Sequence, residues 1–151
     1  MNLTTEVEAG DWQSIADLQA LIQRAGKAAL PPREKRSVHI LFTDDAAMRD
    51  INREWRGFDK PTNVLSFPAA PQPVPKGEVA HLGDLVLAWE TVNSEATTQG
   101  KAAADHISHL IVHGLLHLQG FDHETEQEGD EMEARETEIL AGLGIADPYV
   151  S

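Results

Sequence analysis

The chain contains no cysteine in 151 residues. That excludes disulfide cross-links, thiol nucleophiles and any zinc site built on thiolates. Aromatic residues are scarce at 5%, so the three large indoles, Trp12, Trp55 and Trp89, are expected in the core, with Trp55 also a candidate for stacking on an unpaired base. No run approaches the roughly 18 apolar residues of a membrane helix. The N-terminal stretch carries Glu6, Glu8 and Asp11 and lacks the basic region and apolar core of a signal peptide, which leads to the expectation of a cytoplasmic protein with no membrane partner. Basic residues are few as well: 12 Lys and Arg oppose 25 Asp and Glu, a net charge of −13. Such a charge repels a phosphate backbone unless it is unevenly placed. It is unevenly placed, because nine of the 12 basic residues lie between Arg24 and Lys60 against six acids, whereas Phe121 to Leu140 holds nine acids against Arg135 alone. The acidic run reads as a solvated helix face.

With 41% hydrophobic residues, the length suits one domain with one core. Weak alternation from Met1 to Glu8 reads as an edge strand. Asp11 caps a helix expected through Leu30, ended by Pro31 and Pro32. Ser37 to Thr43 is a strong strand pattern, and Asp44 opens a helix toward Trp55 with Met48 and Ile51 inward. Asn63 to Phe67 reads as a strand, followed by a loop from Pro68 to Lys76 that holds four prolines. Leu82 to Trp89 is another strand. Helices then follow to about Gln99, from Ala102 to Leu118, and from Glu124 to Leu143, the last with Met132, Ile139 and Leu143 inward and its acids outward. Strands come early, helices late, and no βαβ repeat is evident. The expected fold class is α+β, a single domain over residues 1–151 with a mixed sheet of about four strands covered by about five helices.

The densest chemical signal is His113-Gly-Leu-Leu-His117-Leu-Gln-Gly120-Phe-Asp-His123. An i, i+4 pair projects both imidazoles from one helix face, Gly120 can turn the chain back in a left-handed conformation, and the turn can then deliver His123. Three imidazoles suit one zinc ion, or another transition metal such as nickel, and leave a coordination position open for chemistry. His106 and His109 lie further back on the same helix and read as hydrogen-bonded residues near the core. Metzincin proteases share the HxxxHxxGxxH spacing but carry a glutamate after the first histidine as general base, where this chain has Gly114. Phosphodiester cleavage depends less on a protein base, which favours phosphate chemistry.

These residues resemble the YbeY endoribonuclease family, whose signature reads HGxLHLxGYDH against HGLLHLQGFDH here, with Phe121 in the place of the usual tyrosine. A second family block, an arginine followed by T[DN]VLSFP, is matched by Arg56 and Thr62 to Pro68. A third, LGD before an apolar strand, is matched by Leu82 to Leu87. The resemblance implies a single-strand-specific, metal-dependent endoribonuclease acting on ribosomal RNA precursors and the small ribosomal subunit. It implies His113, His117 and His123 as ligands of one Zn2+ and Arg56 as the functionally important arginine. A guanidinium forks onto phosphate oxygens, which agrees with that role. Arg53 and Lys60, from the same basic segment, and Ser66, from the second block, are the further candidates for substrate contact. Asp122 either orients an imidazole or anchors the turn. Two alternatives stand beside this reading: a metal-dependent peptide or amide hydrolase, and a non-catalytic ribosome-associated factor stapled by a structural metal.

Overall fold

Four apolar segments pair into one sheet because each alternates or is continuously apolar over strand length. They are β1 (Asn2–Val7), β2 (Ser37–Thr43), β3 (Val64–Pro68) and β4 (His81–Ala88). The computed structural model describes residues 1–71, 73–122 and 124–149. The sheet order is β1-β2-β4-β3, with β1 parallel to β2, β2 parallel to β4 and β3 antiparallel to β4. Helices α1 (Leu18–Ala29), α2 (Asp45–Arg56), α3 (Trp89–Thr98), α4 (Ala103–Leu118) and α5 (Glu126–Gly142) complete an α+β fold in a single domain, as the sequence leads one to expect. Among the described residues, no helix is long and apolar enough to cross a membrane.

One face of the sheet carries the larger core. Val38, Ile40 and Phe42 of β2 and Leu85 and Leu87 of β4 are fully buried there against α1 and α4. Burying each such side chain contributes about 1.5–3 kcal/mol. The opposite face of β4, with Val86 and Ala88, packs with Met48 of α2 and Leu65 of β3. Apolar residues on both faces are what a central strand requires. Helix α4 is buried on most of its circumference and is the interior helix of the fold. Strand β3 lies at the sheet edge, and its last residue is Pro68, a position where a missing amide donor is tolerated.

Three expectations are corrected. The first helix is split: Trp12–Ser14 form a 3-10 turn, and α1 begins only after Asp17, whose φ of 55° is left-handed. The indole of Trp12 explains the break, because it inserts into the core, donates to the Thr43 carbonyl at 3.1 Å and packs edge-on against Phe42 and Trp89. Trp55 is not a core residue but 70% exposed. The acids of α5 do not all face outward, since Glu136 is 0% exposed. It shares the inward face with Met132, Ile139 and Leu140.

Candidate active site

Helix α4 ends where the sequence places its stop. Gly120 has a φ of 101°. Its amide donates to His117 O at 3.0 Å while that of Phe121 donates to Leu116 O at 3.1 Å. This pair of bonds is the Schellman arrangement that lets glycine reverse the chain. His113 and His117 therefore occupy the last two turns of an interior helix, with ring centroids 4.7 Å apart. Both line an open cleft of about 690 Å³, shared with Arg56 from the end of α2, Ser66 from β3, Asp122 from the turn and Tyr149 from the C-terminal tail. His123 lies outside the described residues.

The close approach of α4 to the sheet depends on Gly114. A Cβ at that position would lie 2.7 Å from Leu85 Cδ2 and 3.3 Å from Ser66 Oγ. Position 114 thus faces the sheet and not the cleft, and the glutamate that metzincins carry after the first histidine has no room here. The same packing sets Ser66 against the helix that bears the histidines.

Glu136 is the residue that the sequence alone does not single out. Its buried carboxylate accepts from His113 Nδ1 at 2.6 Å, from His109 Nε2 at 2.9 Å and from the Tyr149 hydroxyl at 2.5 Å. Burial pushes its pKa up, but the hydrogen bonds from His109, His113 and Tyr149 outweigh burial and pull it down to about 2. It is therefore an anion that only accepts, so His113 donates to it through Nδ1. A carboxylate that accepts from the other ring nitrogen orients metal-ligating histidines in this way in many metal sites. The donor set fits a divalent transition metal. His109, His113 and Glu136 also bring three ligand atoms within 4.8 Å of one another, a group able to hold an ion.

The tail reaches this group through a second glycine reversal, at Gly144, after which Asp147 accepts from Thr137 at 3.3 Å and from the Tyr149 amide at 2.8 Å. Burial, followed by the Glu136 carboxylate, raises the Tyr149 phenol above its usual range, so it stays a donor. His106 is 3% exposed and binds Glu95 at 2.9 Å, while Glu95 in turn accepts from Asn63 at 3.0 Å. His106 and His109 are thus hydrogen-bonded near the core, as read from the sequence. Burial lowers the His106 pKa despite Glu95.

The remaining candidates separate. Arg56 lies on the cleft with its guanidinium 5.5 Å above the Phe58 ring. Arg53 instead pairs with Asp50 at 3.0 Å and with Asp59 at 3.7 Å, and does not line the cleft. Lys60 reaches over Phe58 at 5.8 Å, also outside the cleft wall. Asp122 is half-buried where the cleft meets an acidic hollow lined by Glu124, Glu128 and Glu131. Phe121, in the place of the family tyrosine, packs against the main core.

The family model described as endoribonuclease YbeY matches residues 3–144. A protein named endoribonuclease YbeY from Chelativorans sp. (strain BNC1) is 51% identical over 146 residues, covering 95% of this chain and 90% of that one. Its namesake from Azorhizobium caulinodans is 50% identical over 155 residues, with 99% and 96% covered. The solution structure of TM1509 from Thermotoga maritima matches with a TM-score of 0.59 over 99% of each chain at 19% identity, which shows a shared fold.

Proposed function

The chain belongs to the YbeY endoribonuclease family, and from that premise we propose that it is a metal-dependent endoribonuclease, specific for single strands, that matures ribosomal RNA ends in the cytoplasm. The observation that carries the reading is the cleft that Arg56 shares with His113 and His117. In this proposal His113, His117 and His123 hold one ion, zinc by the chemistry of three imidazoles. Such an ion supplies Lewis acidity, acidifying water and polarising a phosphoryl oxygen.

The protein side of the mechanism follows from placement. Glu136 keeps His113 in the tautomer whose Nε2 can ligate. Arg56 presents a planar fork to two non-bridging oxygens of the scissile phosphate and gains interaction as negative charge accumulates on them. Ser66 also lines the cleft, and its hydroxyl is a candidate for substrate contact. Arg53, tied to Asp50 and Asp59, contributes at most a long-range field. Ribosomal RNA precursors and the small ribosomal subunit are the substrates and partners that the family reading implies, and the whole chain acts as one catalytic domain.

The test is cleavage of a single-stranded ribosomal RNA precursor fragment by protein of measured metal content. Wild type should cut, and chelator, His117→Ala and Arg56→Ala should each abolish cutting, with the Arg56 variant still holding one equivalent of metal. If wild type binds metal and cuts no RNA under any condition, the nuclease reading fails and a structural metal takes its place.

A further inference from the structure

Beside the cleft, helix α2 and the loop after it hold two aromatic rings out in solvent. Trp55 is 70% exposed and Phe58 49% exposed, while Trp12 is fully buried and Trp89 half-buried against the core. An indole left this open forgoes the burial that makes it useful in a core, and it sits next in sequence to Arg56, which lines the cleft. Its support is rigid. Trp55 meets Phe67 of β3 edge-on at 6.2 Å. The loop carrying Phe58 is tied down by Asn52, which donates to the Lys60 carbonyl at 2.8 Å, and by Arg49, which forks onto Asp59 at 2.7 and 3.0 Å.

Charge gives the patch a direction. Arg56 and Lys60 both lie over the Phe58 ring, and among the described residues neither enters an ion pair, unlike Arg49 and Arg53. The side of the cleft lined by Gly120, Phe121 and Asp122 adjoins Glu124, Glu128 and Glu131. A polyanion is repelled from that acidic side and drawn toward α2.

We propose that Trp55, flanked by Arg56, Phe58 and Lys60, is a stacking subsite that seats one unpaired base of single-stranded RNA next to the cleft. The substrate class rests on the nuclease reading above. The indole face takes the base with little regard for its identity, because every base has a π-face. Phe58 gathers the two cations so that they meet the flanking phosphates. A base inside a duplex is already stacked and paired, so the subsite favours single strands.

Two independent readouts test this. In the first, steady-state cleavage by metal-loaded wild type, Trp55→Phe and Trp55→Ala is compared on a single-stranded oligonucleotide and on the same strand in a duplex. Trp55→Ala should raise KM for the single strand about tenfold with little change in kcat, the size expected for one stacked base, while Trp55→Phe stays near wild type. In the second, tryptophan emission is titrated with a single-stranded 2′-O-methyl oligonucleotide, which should quench wild type and leave Trp55→Phe unquenched, since Trp12 and Trp89 are shielded. The exposed position lets both variants fold. An unchanged KM in Trp55→Ala overturns the subsite, and so does a raised KM without quenching. If wild type cuts no RNA, the nuclease reading fails while the titration still decides the subsite: quenching confined to Trp55 upholds it and no quenching overturns it.

Discussion

Replacing Glu136 by glutamine changes one buried oxygen into an amide nitrogen and nothing else in shape. The wild-type carboxylate receives three donors at 2.5–2.9 Å and is 0% exposed. Glutamine offers one acceptor oxygen, so at least one of the three donors then faces an amide that also donates. A hydrogen bond to a charged group contributes about 1.5–3 kcal/mol and an orphaned buried donor costs about 1–3 kcal/mol, which gives a loss of roughly 2–4 kcal/mol. At about 2–4 °C per kcal/mol for a chain of this size, the metal-free protein should melt roughly 4–16 °C lower by calorimetry. His109 cannot escape by switching tautomer, because its Nδ1 is buried without a partner. His113 can switch, but the switch moves its proton onto Nε2. Metal affinity at pH 7 should therefore fall about 10–100-fold by competition with a chromophoric chelator. The folded pKa lies below the ordinary 4.5, so the stability that Glu136 contributes is present above pH 4.5 and lost as pH falls toward about 2. The two proteins should converge in stability over that window. Unchanged melting and affinity would refute the positioning role, and complete loss of metal would make Glu136 a ligand.

Gly114→Ala gains about 1 kcal/mol of helix propensity but drives a methyl into fully buried Leu85 at about 1–3 kcal/mol, so the net loss should be roughly 0–2 kcal/mol in denaturant unfolding. RNA cleavage should fall by more than that, since α4 must lift with its histidines; a more stable variant of full activity would contradict the packing argument. Arg56→Lys keeps the charge and loses the fork, so cleavage should drop at least tenfold with metal content intact and stability within about 0.5 kcal/mol. His106 has a folded pKa below the usual 6.5 through burial, so the unfolded chain binds a proton first and stability declines as pH falls below 6.5. His106→Gln should flatten that decline in a series of melting curves, and an unaltered slope would assign the acid sensitivity elsewhere.

The strands and most helices were legible because their signals are local. Ser37 to Thr43 carries a strong strand pattern and forms β2 with those bounds. The helix after Asp44 begins as expected because that side chain accepts from the Ala47 amide at 2.9 Å. The first helix misled because its composition between Trp12 and Asp17 is helical, while a long-range bond from Trp12 to Thr43 decides the local shape. Trp55 misled for the opposite reason: it has apolar bulk like a core residue, yet it sits in the last turn of α2, where it protrudes beside Arg56.

At the site, the i, i+4 histidines and the glycine stop were readable because helix geometry alone sets their relation, and the cleft brings His113 and His117 together with Arg56 and Ser66 from two other parts of the chain. The carboxylate behind His113 comes from 23 residues further on, where nine acids between Phe121 and Leu140 hide the one that matters. A signal was present all the same. Position 136 lies four residues after Met132 and three and four before Ile139 and Leu140, which puts an acid on the apolar stripe of α5. A glutamate in such a stripe must either disrupt the core or find donors inside it. Helix α4, which packs against α5, carries His109 and His113 as such donors. The acid in that stripe is a sign that a reading of the nine acids as one solvated face passes over, whereas Tyr149, past a glycine reversal, carries no periodicity from which its hydroxyl's destination could be read.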